Sequence, residues 1–432
     1  MSSSNVELLA ARYLTKFLEQ GSKISLKKFM YKIPVKGKKR KRVQSLLYNV
    51  VAYLNVIDKA LDNAIMKLNI SCSLDPKDRN LLRILTYRLL FQNLSLDLLT
   101  ERINVIKNNE VKAILSKIEF PTPKDEIEFI SLKLGFPEWM IKHLLNYLPK
   151  DFLTTMLSAF NKRPKTWVVV NLLRASKDEV IEALENDGFE VLEDKDFSEV
   201  LQITRFSKRL EKSKAYRKKL ILPMSKASAA VVKVLNPNSD DIILDACAAP
   251  GNKTIFASFL MNNSGRIYAI DINHARLERM RSLLHSYGIK NVTLIHGDAR
   301  KYRPETEVNK VLIDAPCTSS GMIGLNPDIK WRISYNDVIK FSKLQREILE
   351  NFLSLLAKNH SYEIVYSTCS FFPEENEILI SRILGSFPNL KKADISSIGS
   401  NDYFNGMYGR RFFPHIHDTI ALFVTKLVKK NN

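Results

Sequence analysis

The chain has 432 residues and a mass of 49.6 kDa, too long for one ordinary domain, and predicts about three, each able to bury its own core. Hydrophobic residues make up 45% and charged residues 26%, which excludes a wholly disordered, collagen-like or membrane-spanning protein. Sixty-six Lys and Arg against 46 Asp and Glu leave a formal charge of +20, so the surface should draw polyanions, nucleic acid first.

The four cysteines, Cys72, Cys247, Cys317 and Cys369, are too few and too scattered for a disulfide scaffold, and no C-x-x-C or Cys/His ligand pair occurs. A reduced, cytoplasmic, metal-free protein is expected. Glu7, Arg12 and Lys16 interrupt the apolar pattern of the N-terminus, which reads as an amphipathic helix and not a signal or membrane segment.

Residues 1–122 carry helical spacing throughout: Leu8, Leu9, Tyr13, Leu14 and Leu18, then Leu47, Val50, Val51, Leu54, Ile57 and Leu61, then Leu81, Leu82, Leu85 and Leu89. They predict an all-α bundle. Asp75 and Pro76 open a helix over 78–91. The basic run KGKKRKR (36–42) reads as a loop between helices, either simply solvated or facing nucleic acid.

Pro121, Pro123 and the acids of 125–128 end that pattern, and 123–214 reads as a small α/β linker domain: a strand in TWVVVNLL (166–173), a helix over 177–186 and a strand over 189–192. RFSKRLEKSKAYRKKL (205–220) follows, where Lys208, Arg209, Arg217 and Lys218 stand among eight bases facing one acid, with Phe206 and Tyr216 interleaved. Basic and aromatic residues together favour an RNA-contacting strip.

Residues 215–432 alternate strands and helices, the pattern of a doubly wound, mostly parallel sheet. DIILD (241–245), RIYAID (266–271), VTLIHGD (292–298) and KVLID (310–314) are strands, with helices over 252–261 and 274–287. Each strand ends on or near an aspartate: Asp245, Asp271, Asp298 and Asp314. In an open α/β sheet such strand ends line the ligand crevice. One aspartate there could merely begin a turn, but four in succession suit a ligand bearing hydroxyls and a cation.

The first turn, ACAAPGNKT (246–254), has neither the G-x-G-x-x-G nor the P-loop spacing, which argues against a dinucleotide or triphosphate. Cys247, Ala248, Ala249, Pro250, Gly251, Asn252 and Lys253 form a small-residue turn suited to the methionine part of S-adenosylmethionine. Asp271 would then meet the ribose hydroxyls and Asp298 the adenine edge. Cys317 and Cys369 follow the fourth and fifth strands in polar turns where a thiol would be exposed. A lone cysteine is more often a small buried hydrophobe.

DACAAPGNKT, DAPCTSSGM, NPDIKW (326–331) and YSTCSFFPEENE, in order and spacing over roughly 215–428, resemble the Sun/RsmB-type RNA cytosine-5 methyltransferases. FPEWM…WVVVNLLR resembles the segment before their catalytic domain, and DRNLLRILTYRLLF resembles the NusB-like helical domain at their N-termini. LPMSKAS (222–228) departs from the family's Gln-Asp or Gln-Glu, Asn252 replaces a usual Gly, and Ala421 stands where Gly is usual. The resemblance implies a Rossmann-like S-adenosylmethionine-dependent methyltransferase domain after an all-α and a small α/β domain. It implies that Cys369 attacks cytosine carbon 6, that Cys317 assists the later elimination, and that Asp314 hydrogen-bonds the base. Lys330 and Arg332 would grip phosphates of a flipped nucleotide, with Trp331 packing. The expected partner of this monomer is RNA, rRNA favoured by the layout and tRNA open. A catalytically silent RNA-binding assembly factor and a DNA cytosine methyltransferase are the rivals.

Overall fold

The computed structural model describes residues 5–21, 24–70, 74–102, 109–356 and 362–429; Cys72 lies outside them. The chain forms two compact units, one of residues 1–162 with 322–333, the other of 163–321 with 334–432. These boundaries differ from divisions at 122/123 and 214/215, and the return of 322–333 to the first unit is invisible to local pattern.

The first unit is helical. Asn5 accepts the backbone N–H groups of Glu7 and Leu8 to start helix Val6–Glu19, and Asp75 accepts those of Lys77 and Asp78 to start Pro76–Gln92, satisfying donors that a helix leaves orphaned. Leu14, Leu47, Val50, Ile57, Leu61, Leu82 and Leu85 meet in one core. The expected apolar stripe over 47–61 is two helices, Gly37–Ala52 and Leu54–Lys67, divided at Tyr53. The run 36–42 is not a loop: it forms the first turns of Gly37–Ala52, where Arg40 donates to the carbonyls of Met30 and Tyr31. The acids at 125–128 likewise start a helix, with Asp125 capping Glu126–Leu134.

In the second unit, β1 (Thr166–Val170), β2 (Glu190–Glu193), β3 (Val200–Arg205) and β4 (Ile221–Pro223) make an antiparallel sheet in the order β2-β3-β1-β4. Val168 and Val170, two apart and so on one face, bury against Val180 and Leu184 of helix Lys177–Glu185. Ser176 and Glu179 close a capping box at its start.

The large sheet contains β5 (Ile242–Asp245), β6 (Arg266–Asp271), β7 (Val292–His296), β8 (Lys310–Asp314), β9 (Glu363–Thr368), β10 (Leu390–Lys392), β11 (Ser400–Asn401), β12 (Arg410–Phe412) and β13 (Leu422–Lys429). Its order is β11-β12-β13-β9-β8-β5-β6-β7, with β10 also on β13. Strands β5 to β9 run parallel, and β13 lies antiparallel on β9. Apolar residues of β5, β6, β8 and β9 pack under helices Tyr335–Leu356 and Glu377–Ser386 through Ile348, Phe352, Leu379 and Ile383. Because β5 lies between β6 and β8, the connections diverge at its carboxyl end and open a crevice there. Among the described residues, no helix is long and apolar enough to cross a membrane.

Candidate active site

The first turn after β5 is fixed by its neighbours. Asp245 is 1% exposed; its Oδ2 accepts the Thr254 hydroxyl at 2.7 Å, while Oδ1 has no protein partner. Burial pushes its carboxyl up to about 7, and the nearby Asp314 adds to the rise. The Ala249 N–H donates to Asp271 Oδ2 at 3.1 Å, and the Asn273 N–H donates to Oδ1 at 2.9 Å. Arg276, which the sequence reading missed, reaches both the Ala249 carbonyl and Asp271 Oδ2. Its signal was its place in the first turn of the helix after β6, beside the expected ligand carboxylate. Gly251 has φ +104°, and a Cβ there would lie 2.8 Å from Met280. Asn252 donates to the Pro223 carbonyl at 3.1 Å, and Lys253 Nζ reaches Asp314 Oδ2 at 2.6 Å.

Three of the four aspartates act on one thiol. Burial raises Cys247 well above the ordinary thiol range, and Asp245, Asp314 and Asp271 raise it further. Asp298 instead carries its own cation: Arg300 Nε and Nη2 approach it at 3.0 and 2.6 Å, and this bond lowers its carboxyl pKa. The orphaned Asp245 oxygen, the small backbone of 246–251 and the half-exposed carboxylate of Asp314 fit a ligand with a polar amino-acid end and no phosphate.

Strands β8 and β9 place the other two thiols. Asp314 is in register with Ser367, whose hydroxyl donates to Asp314 Oδ1 at 2.8 Å. Three residues after Asp314 and two after Ser367, the Cys317 and Cys369 sulfurs lie 3.4 Å apart. Both residues are half-buried and not freely exposed as expected. The contact separates their acidities: the bond with Cys317 lowers Cys369, with Lys253 contributing, while the same bond and burial raise Cys317. Gly321 N–H donates to the Cys369 carbonyl at 2.8 Å, and the Phe371 N–H donates to Ser320 Oγ at 3.0 Å, stitching the two loops together. A Cβ on Gly321 would collide with the Ala421 carbonyl.

The sequence reading also missed the buried partners beneath that pair, Glu375, Asn376 and the Glu377–Arg411 ion pair, whose Nε–Oε1 and Nη2–Oε2 distances are 2.6 and 2.7 Å. Although they follow Cys369 in a run of polar residues, Glu375, Asn376 and Glu377 are inaccessible to solvent.

The expected phosphate contact at Lys330 is corrected. This residue is 1% exposed within the first unit, where its Nζ donates to the Ala52 carbonyl at 3.1 Å and to Asn161 Oδ1 at 2.7 Å. Its ammonium also lies 3.9 Å from the Phe136 ring centre, and its burial lowers its pKa well below the lysine range. No charge is presented outward. Arg332 pairs with Asp328 at 2.6 Å, and Trp331 packs on the helical core while its indole donates to the Val51 carbonyl. In the basic strip Lys208 pairs with Asp187, whereas Arg209, Arg217 and Lys218 are exposed.

An open parallel sheet with carboxylates at successive strand ends, extended past β9 by antiparallel β13, β12 and β11, defines a Rossmann-like methyltransferase. The family model described as 16S rRNA methyltransferase RsmB/F matches residues 232–428, and one for the ferredoxin-like domain of RsmF/B-like methyltransferases matches 136–208. The ribosomal RNA small subunit methyltransferase B of Escherichia coli O1:K1 is 26% identical over 442 residues, covering 99% of each chain. The crystal structure of PH0851 is 31% identical with a TM-score of 0.79, covering 98% of this chain and 99% of that one. A methyltransferase homologue from Pyrococcus horikoshii is 28% identical with a TM-score of 0.62, covering 71% of this chain and 99% of its own. The chain belongs to the RsmB/F methyltransferase family. It is an RNA methyltransferase whose cofactor is S-adenosylmethionine.

Proposed function

We propose that this enzyme methylates carbon 5 of a cytosine in rRNA through a covalent cysteine adduct, as a cytoplasmic monomer. The observation that carries the reading is the 3.4 Å thiol pair set beside the Lys253–Asp314 ion pair at the carboxyl ends of β8 and β9. The bound cofactor supplies an electrophilic methyl group. Carbon 5 of cytosine is too weak a nucleophile to take it unaided. The Cys369 thiolate adds to carbon 6 and shifts electron density to carbon 5. Asp314 accepts a hydrogen bond from the exocyclic amine, and the Lys253 cation offsets the negative charge that builds on the ring. Once carbon 5 is methylated, its proton passes to water, the electrons of that C–H bond re-form the 5,6 double bond, and Cys369 leaves carbon 6 as a thiolate, with Cys317 assisting this elimination.

Cofactor binding falls to 247–253 and Asp271, with Asp298 toward the adenine edge. Residues 1–122 and 123–214 serve as RNA-holding parts ahead of a catalytic domain at 215–432, with Arg209, Arg217 and Lys218 as phosphate contacts.

The two cysteines give opposite outcomes. Cys369→Ala should be inactive and trap no RNA. Cys317→Ala should still attack and methylate, then accumulate a protein–RNA complex that survives denaturing electrophoresis. A stable adduct with Cys369→Ala and none with Cys317→Ala would reverse the roles. Bisulfite sequencing of rRNA and tRNA, with and without the gene, identifies the substrate; a lost signal in tRNA alone overturns the rRNA assignment.

A further inference from the structure

Glu375 is inaccessible to solvent, and both oxygens of its carboxylate are spent on the segments that carry the thiols. Oε1 accepts the Thr318 N–H at 2.9 Å and the Gln345 amide at 3.0 Å. Oε2 accepts the Thr318 hydroxyl at 2.6 Å and the Ser370 hydroxyl. Thr318 directly follows Cys317, and Ser370 directly follows Cys369. Gln345, on helix Tyr335–Leu356, also donates to the Pro316 carbonyl at 2.9 Å, so the residue before Cys317 is tied to the same carboxylate. Glu375 thus fastens directly the residue after each thiol, Thr318 and Ser370, and reaches the residue before Cys317 only through Gln345.

We infer that Glu375 is a positioning residue that holds Cys317 and Cys369 in hydrogen-bond contact, with Cys317 as the donor. The inference rests on the proposed cysteine mechanism for its effect on turnover, but the contact itself can be read without RNA. Charge supports the geometry. A buried carboxylate beside Cys317 disfavours a second anion there, so Cys317 keeps its proton and offers it to Cys369. The other charged groups acting on the pair are Asp314, which disfavours a Cys369 thiolate, and Lys253, which favours it. Four donors on one buried carboxylate also explain why this charge is tolerated: burial raises its pKa, and each bond from Ser370, Thr318 and Gln345 lowers it again.

The test measures iodoacetamide labelling of each cysteine by peptide mass spectrometry as pH is raised, in the wild type, Glu375→Gln and Glu375→Asp. In the wild type Cys369 should label at lower pH than Cys317. Glu375→Gln, which lacks the charge and turns one acceptor into a donor, should narrow or abolish that preference. It should lower kcat by roughly 10- to 100-fold with little change in the KM for RNA. Glu375→Asp keeps the charge on a shorter arm and should restore the labelling order in part. If Glu375→Gln does not fold, the Asp variant carries the test: wild-type labelling and kcat in it would show that arm length is irrelevant and overturn the positioning role. Identical labelling in the wild type and a folded Glu375→Gln, judged by its melting curve and cofactor affinity, would also overturn it. A wild type that labels as expected but traps no fluorocytosine RNA at Cys369 refutes the covalent mechanism and leaves the positioning of the thiols standing.

Discussion

Asp271 accepts two backbone hydrogen bonds, from the N–H of Ala249 in the first turn and from that of Asn273 after β6. Asp271→Ala should therefore weaken S-adenosylmethionine binding by about 1–3 kcal/mol, through lost ligand hydrogen bonds and a loosened turn. Isothermal titration calorimetry checks it, and unchanged affinity removes Asp271 from the cofactor contacts. At Lys330 the sign runs through pH. Its folded pKa is depressed, so above that value the unfolded chain binds the extra proton, and stability rises with pH until the ordinary lysine range is reached. Lys330→Met should lose this alkaline gain while leaving the Ala52 carbonyl and Asn161 short of a donor. Melting curves of both proteins at about pH 7 and about pH 9.5 read the difference, and parallel curves would show that the folded-state pKa of Lys330 is not depressed. Sequence pattern marked both residues but separated their fates poorly. A carboxylate at a strand end has its surroundings set by the strand, whereas a lysine's surroundings depend on distant residues such as Phe136 and Asn161.

Strands β5 to β9 were legible because short apolar runs alternate with helical periods and each ends in a polar turn. Helix Gly37–Ala52 was misread because its first turns are Lys and Arg, which tolerate helices well but look like a solvated loop. Strands β3 and β4 escaped notice for another reason: one runs into the basic strip and the other has three residues, and both exist through pairing with β1. That strip carries the next expectation. Replacing Arg209, Lys212, Arg217 and Lys218 with Gln should flatten the fall of RNA affinity with salt, because fewer counterions are released. Filter binding across a salt series would detect it, and an unchanged slope means that the strip faces away from RNA. At the thiol loops, Gly321→Ala should cost activity more than cofactor binding, since the added methyl collides with the Ala421 carbonyl and strains the bond from Gly321 to Cys369. Adduct trapping and calorimetry on the same sample separate the two effects.

At the scale of the whole chain, a charge of +20 favours RNA capture, and the proposed cysteine chemistry lies within the second unit. The first unit is not continuous in sequence. Trp331 and Lys330 donate to the carbonyls of Val51 and Ala52, and the Tyr48 hydroxyl donates to the Gly324 carbonyl. Residues 1–162 alone should accordingly melt lower than the full chain's first unit, and a peptide of residues 322–333 added in trans should raise that melting point. A fragment indifferent to the peptide would mean that these contacts are decorative. On the ribosome the same connectivity imposes a delay. At ordinary elongation rates roughly ten to thirty seconds separate residue 162 from residue 333, and for that interval the nascent helices wait with one wall of their core unbuilt. A chaperone that shields helices and a slow-translating stretch of message would therefore matter more for the amino-terminal helices of this enzyme than their early place in the gene suggests.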